Sequence, residues 1–412
     1  MVRISPARLH ADLAAVNAFG VIEGRRGLNR PSFSDADMAA RRWLMARMAE
    51  AGLAPRMDAV GNVIGRWDVG DGPAVLAGSH LDTVPEGGPL DGALGVIAAL
   101  EGVRAMQEAG VEPVRPVEVI CTADEEGRLG GMLGSEAMCG LLAPGWIDTA
   151  TADDGTRLTD AMRAQGLDPA NWREAAREPG EIAVFLELHI EQGPVLERAR
   201  EAIGIARGVS GCFNWSVTLS GAANHSGTTP MEGRRDAFRG MAEFGATIGE
   251  MIATAGGPET RITVGKAELA PGFPHSIAGE ARFSIIGRDP DEAVMRRIAG
   301  ACRERLDACA ARHGLDVEIA EASWLSPVTL NADVADGLLV DAATLGFTHR
   351  AMTSGAGHDA QTFARIAPSG LIFIPSTGGI SHAPEEHSPP EAVEKGAALL
   401  ARAMQRWATR PR

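Results

Sequence analysis

Apolar residues recur with two different periods along this chain, and the alternation of the two organises it. Residues 34–52, SDADMAARRWLMARMAEAG, carry apolar positions at helical spacing behind a capping Ser34 and stop at Gly52. Short apolar runs then predict strands at NVIGRW (62–67), AVLAG (74–78), VEVICTA (117–123) and AVFLELHI (183–190). A helical stretch, GALGVIAALEGVRAMQEAG (92–110), lies between the second and third of these, as in a layered α/β protein.

Between 211 and 325 the order changes. NWSVTLSG (214–221) predicts a strand, RRDAFRGMAEFGATIGEMIATAG (234–256) a helix, and RITVGKAEL (261–269) and GEARFSII (279–286) two strands. PDEAVMRRIAGACRERLDACAARHG (290–314) predicts a helix and LDVEIAEA (315–322) a strand. That β-α-β-β-α-β order is a small ferredoxin-like α+β unit, inserted as a satellite domain. The first pattern returns in 335–346, in SGLIFIPS (369–376) and in a final helix over 389–408. The main domain is therefore expected to be discontinuous, formed by residues 1–210 and 326–412 around an insertion at 211–325.

A chain of 412 residues with 45% hydrophobic content can bury a full core in one large domain or two ordinary ones. Its net charge of -15 disfavours nucleic acid and anionic membrane as partners and favours a small molecule. The five cysteines, Cys121, Cys139, Cys212, Cys302 and Cys309, are scattered and form no C-x-x-C pair. Neither a disulfide framework nor a thiolate zinc site is indicated, which fits a reducing compartment. The first residues are too polar for a secretory leader, and no uncharged apolar run approaches the roughly 20 residues of a membrane span. The expected location is cytoplasmic.

Every stretch able to carry chemistry in the main domain follows one of the apolar runs. SHLDTVPEGGPLDG (79–92) offers His80 and Asp91 as metal ligands, with Asp82 placed to hold the other nitrogen of the His80 imidazole. TADEEGRLG supplies the adjacent pair Glu125 and Glu126; on an extended segment neighbouring side chains diverge, so one can bind metal while the other faces water. ELHIEQGP supplies His189 and GGISHAPEE supplies His382. Together they suit a pair of divalent cations, one on His80, Asp91 and His189, the other on Asp91, Glu126 and His382. Nitrogen and oxygen donors favour zinc, and the same set accepts manganese, cobalt or nickel. Glu125 then serves as the general base of a C–N bond hydrolysis. Taken singly, a histidine beside a glycine turn is more often structural, and a Glu-Glu pair is more often a solvated face. His10, His313, His349 and His387 have no matching partners and read as solvated. The joint occurrence of the others behind strand-like runs is what favours metal.

The segments GSHLDTVPEGGPLDGALGV, EEGRLGGMLGS, ELHIEQGPVLE, NHSGTTPMEGRRDA, SGAGHDA and IPSTGGISHAPEE occur in order. They resemble the N-carbamoyl-L-amino acid hydrolase and allantoate amidohydrolase family, one of the di-zinc amidohydrolases that also include aminoacylases and carboxypeptidase G-type peptidases. The resemblance implies an α/β fold in which a mixed-sheet, di-zinc peptidase-like catalytic domain carries an inserted ferredoxin-like α+β domain for lid closure and dimerisation. It implies the same ligands, with Glu125 as base and Asp82 as orienting acid, two divalent metal ions per subunit, and a homodimer formed through the lid. His225 in NHSGTTP resembles the oxyanion-stabilising histidine supplied to the partner subunit's site. Gln192, Arg288, Gly355, Gly357 and His358 resemble substrate-binding positions, with Arg288 clamping a carboxylate through its fork of donors.

Two positions depart from the family pattern. His275 stands in HSIAG where the family has an asparagine that contacts substrate, with Ala278 in place of a proline, and Ile286 replaces an aspartate two residues before Arg288. The expected activity is metal-dependent hydrolysis of a linear C–N bond in a carboxylate-bearing ureido or amide substrate, first of all an N-carbamoyl-L-amino acid giving amino acid, CO2 and ammonia. Alternatives are an allantoate or other ureido-acid amidohydrolase, an aminoacylase or dipeptidase of the same fold, and, remotely, a metal-binding protein without turnover.

Overall fold

The computed structural model describes residues 2–411. The strands are β1 (Ala54–Met57), β2 (Val63–Trp67), β3 (Ala74–His80), β4 (Val117–Thr122), β5 (Ile182–Ile190), β6 (Ile203–Val209), β7 (Gly211–Ser220), β8 (Arg261–Thr263), β9 (Ala267–Ala270), β10 (Glu280–Asp289), β11 (Asp316–Leu325), β12 (Val328–Thr329), β13 (His349–Ser354) and β14 (Ser369–Ile374). Two compact units result, Gly208–Val328 and the residues flanking it on both sides.

The flanking residues build a nine-stranded mixed sheet in the order β1-β2-β4-β3-β5-β14-β6-β12, with β13 paired to β6. At its centre β4, β3, β5 and β14 run parallel, while β2 and β6 pair antiparallel at either side. The four parallel strands are buried along nearly their whole length, which is why they read as continuous apolar runs rather than as alternations. Their carboxyl ends emerge on one edge, where ligand sites of open α/β sheets form.

Helix α1 (Pro6–Asn17), helix α2 (Asp35–Glu50) and helix α3 (Ala93–Glu108) belong to this unit, as does the terminal helix Pro390–Thr409. Residues Ala93–Met106 of α3 are buried on every side, and they share one core with Leu400, Ala403 and Met404 of the terminal helix. Each fully buried Leu, Val or Ile there contributes about 1.5–3 kcal/mol relative to an exposed one. Ser34 accepts the Asp37 N–H as the cap of α2, as the sequence predicts. Among the described residues no helix is long and apolar enough to cross a membrane.

Gly208–Val328 contains an antiparallel sheet in the order β11-β7-β10-β8, with β9 also on β10. The helices Ala237–Ala246, Ile248–Ala255 and Glu292–His313 share a core with β7 and β10. Two predicted elements are each split. The helix expected over 234–256 breaks at Thr247, whose hydroxyl donates to the Phe244 carbonyl and competes with the helical ladder. The strand expected over 261–269 is interrupted, and the Lys266 N–H instead donates to the Ser284 hydroxyl oxygen. His313, read as solvated, has a side chain only 9% exposed, paired with Glu243 at 2.7 Å.

Candidate active site

Four strand ends supply the site. His80 is the last residue of β3, His189 the penultimate residue of β5, Glu125 and Glu126 follow β4, and His382 follows β14. His189 is thus within its strand rather than in the loop after it, opposite Phe373 in the β5–β14 register. Asp91 lies in the turn entering α3, and Gly92, at φ 63°, is a requirement of that turn. A Cβ there would lie 2.5 Å from the His80 ring, so only glycine lets α3 start against the imidazole.

Asp91 is the centre of the cluster. Its Oδ1 lies 3.4 Å from His80 Nε2 and 3.1 Å from His189 Nε2. Its Oδ2 lies 3.4 Å from His382 Nε2, which is also 3.4 Å from Glu126 Oε2. The donor atoms of His80, Asp91 and His189 all lie within 4.8 Å of one another, and so do those of Asp91, Glu126 and His382. Glu125 belongs to neither set; its Oε2 is 3.5 Å from His80 Nε2.

These residues fit divalent cations. His80 Nδ1 donates to the Asp82 backbone carbonyl at 3.0 Å and His189 Nδ1 to the Ile190 carbonyl at 2.9 Å. A carbonyl only accepts, so in both neutral rings the lone pair is on Nε2, facing a carboxylate oxygen. Acceptors meeting acceptors at 3.1–3.4 Å repel unless a proton or a metal ion stands between them. Glu126 Oε1 is buried without a hydrogen-bond partner, a deficit of about 1–3 kcal/mol that a cation would remove.

The metal-free electrostatics point the same way. Burial opposes charge on His189, but Asp91 outweighs it and lifts the imidazole to about 9. Burial likewise opposes charge on His80, yet Glu125, Asp91 and Asp82 hold it well above the usual histidine range. Burial would raise Asp91, but His189 and His382 drive it well below the usual carboxylate range. Burial pushes Glu125 well up, His80 opposing and Asp359 and Glu126 adding to the rise. Burial and Asp91 push Glu126 up to about 7.

Two sequence expectations are corrected in detail. Asp82 orients His80 through its backbone carbonyl, because its carboxylate Oδ1 stays 3.8 Å from Nδ1. The divergence of Glu125 from Glu126 is produced by a turn, with Asp124 at φ 52°, rather than by strand pleating. His382 and Gln192 also adopt left-handed φ values, 54° and 57°, the kind of backbone that collects at functional sites.

The remaining expected residues fall in both units. Gln192 Nε2 donates to Asp91 Oδ2 at 2.8 Å. His358 stands edge-on to His189 with ring centres 4.6 Å apart, its Nε2 3.0 Å from the Ser354 hydroxyl. Burial, with the charge of His189 adding, holds it well below the usual histidine range. Gly355 and Gly357 lie in the loop preceding it. Within Gly208–Val328, exposed His225 forms an isolated bridge with Ser276. Its Nδ1 accepts the Gly227 and Thr228 N–H groups at 3.1 Å each, so Nε2 carries the hydrogen in the neutral ring. His275 is exposed beside Phe273, and Arg288 is half-buried on β10 opposite Cys212 of β7.

Glu386 and Ser381 escaped the sequence reading. Glu386 accepts the Leu90 and Asp91 N–H groups at 2.9 and 3.0 Å. Ser381 lies 3.1 Å from Asp91 Oδ2 and 2.9 Å from Glu386 Oε2. The acidic pair after His382 was visible, but nothing distinguished buried Glu386 from exposed Glu385.

Comparison with known proteins gives the family. Over 384 residues the chain is 37% identical to an N-carbamoyl-L-amino-acid amidohydrolase of Paenarthrobacter aurescens, covering 92% of this chain and 93% of the relative. It is 35% identical to the allantoate amidohydrolase of Escherichia coli K12, covering 91% and 92%. The crystal structure of an amidase of the hydantoinase/carbamoylase family from Burkholderia multivorans superposes with a TM-score of 0.92 at 31% identity, covering 100% of both chains. Residues 76–406 match Peptidase family M20/M25/M40, and it is to this family that the chain belongs.

Proposed function

We propose that this chain hydrolyses the carbamoyl C–N bond of N-carbamoyl-L-amino acids, with two divalent ions, zinc by preference, held on either side of Asp91. The chain is an amidohydrolase acting on linear amide or carbamoyl bonds, in line with its relatives. The observation that carries the fuller reading is the division of Asp91, with Oδ1 turned to two imidazoles and Oδ2 to a third. When bound, the ions supply Lewis-acid activation of water and of the scissile carbonyl.

The protein's own groups move the protons. Glu125 Oε2 takes a proton from the attacking water as its oxygen bonds to the carbamoyl carbon. Glu125 then returns the proton to the departing nitrogen as the C–N bond breaks. The carbamic acid so formed then decomposes by loss of its remaining C–N bond, so that with one water consumed overall the products are amino acid, CO2 and ammonia. Asp82 and Ile190 keep the His80 and His189 rings in the tautomer that presents Nε2. Gly208–Val328 is assigned the lid and dimerisation roles, His225 donating from Nε2 to the oxyanion in the partner subunit's site, with Arg288 binding the substrate carboxylate and Gln192, His275, Gly355, Gly357 and His358 completing the substrate contacts.

A panel of N-carbamoyl, N-acyl and dipeptide substrates together with allantoate tests this reading. Ammonia release with highest kcat/KM on an N-carbamoyl-L-amino acid is expected; preference for N-acyl or dipeptide substrates would overturn the substrate assignment.

Metal uptake is expected to release protons. Below about 9 the metal-free His189 holds a proton on the cluster, and the carboxylates around His80 hold that imidazole well above the usual histidine range too. Both must lose it to bind metal, so affinity falls as pH falls. Calorimetric titration of the apoprotein with zinc in two buffers of different ionisation enthalpy reads this directly. Unequal heats are expected, and equal heats would contradict it.

A further inference from the structure

We infer that Ser32 and Arg41 are positioning residues: they fix the Asp82 carboxylate, and through it the backbone that carries Glu125 and Glu126. Asp82 is only 1% exposed. Its Oδ2 accepts the Ser32 hydroxyl at 2.8 Å and the Glu126 N–H at 3.1 Å. The second oxygen, Oδ1, is buried without a hydrogen bond, and so is Arg41 Nη2. These two atoms face each other at 3.8 Å.

The rest of the Arg41 fork is committed elsewhere. Nε donates to Asp37 Oδ1 at 2.8 Å and Nη1 to the Gly61 carbonyl at 3.1 Å. Asp37 spends its other oxygen on the Phe33 N–H, which leaves Nη2 directed at Asp82. A buried carboxylate without a counter-charge is costly, and an opposite charge at this distance in a dry interior offsets much of that cost. The Asp37 and Gly61 contacts set the plane of the rigid fork, and in that plane Nη2 is turned toward Asp82.

Ser32 grips the same turn a second time. Its carbonyl accepts Arg128 Nη1 at 2.6 Å, two residues beyond Glu126. The segment leading into α2 therefore holds the turn after β4 both through Asp82 and directly. Loss of either contact leaves Glu126 free to drift from His382, and this consequence rests on the assignment of Glu126 as a metal ligand.

The test is a set of double-mutant cycles, S32A and R41M each made alone and in a D82A background. Zinc affinity of the apoprotein is read by chelator competition, alongside kcat and KM on the best substrate. Ser32→Ala and Arg41→Met are each expected to weaken affinity for the more weakly held ion by about 10-fold or more, and to lower kcat more than they change KM. In the D82A background each should change affinity by less than about twofold, since the intermediary carboxylate is already gone. Equal factors in both backgrounds would overturn the inference. If R41M does not fold, the Ser32 cycle decides, because removal of one hydroxyl leaves the Asp37–Arg41 pair intact. Because affinity is read without substrate, an additive result would reject this inference alone, whereas failure to turn over ureido acids would reject only the proposed activity.

Discussion

Replacing Glu125 by glutamine is expected to lower kcat by about 10²–10⁴-fold, the span for loss of a general base, and to leave the metal content unchanged. Glutamine keeps the shape of the side chain but cannot accept and return a proton. Glu125 lies outside both ligand sets, and its nearest charged partner is His80 Nε2 at 3.5 Å. Only 9% of its side chain is exposed, so an outside base has little room to substitute for it. Steady-state kinetics with metal analysis of the same preparation checks the expectation. Activity within a few-fold of wild type would remove Glu125 from the role, and loss of metal would make it a ligand instead.

Asp91→Ala is expected to be more damaging, because it empties both sites at once. One oxygen faces His80 and His189 and the other faces His382, so truncation leaves one set with two imidazoles and the other with one imidazole and Glu126. The variant should retain neither ion through dialysis and show no measurable turnover. It should also lose the rise in Tm that zinc gives the wild type, because a ligand stabilises only the state that binds it. Glu126→Ala, which touches one set, should keep the ion on the His80 side. Retention of both ions by Asp91→Ala would dissolve the shared-carboxylate arrangement.

The sequence was informative where position along a strand determines position in space. His80, Glu125, Glu126, His189 and His382 are each tied to an apolar run, and four parallel strands ending on one edge bring them together without further information. The supports of the site are different in kind. Glu386 reaches the Leu90 N–H across 296 positions, and Arg41 meets Asp82 from a helix that otherwise reads as an ordinary amphipathic element. No periodicity encodes such contacts. The backbone that aims Asp124, Gln192 and His382 is left-handed at non-glycine residues, a conformation their residue types do not announce. Thr247 shows the converse limit, since the apolar spacing runs unbroken across the point where the helix divides.

The departures at His275 and Ile286 fall in Gly208–Val328, while the residues clustered around Asp91 belong to the flanking unit. A change at His275 or Ile286 is therefore expected to leave the ligand set around Asp91 unchanged.

Anomalous diffraction at the zinc edge, from crystals grown with zinc, addresses the central claim directly. Two peaks about 3.5–4 Å apart are predicted, one amid His80, Asp91 and His189 and one amid Asp91, Glu126 and His382. A single peak, or a pair in which Asp91 touches only one ion, would contradict it.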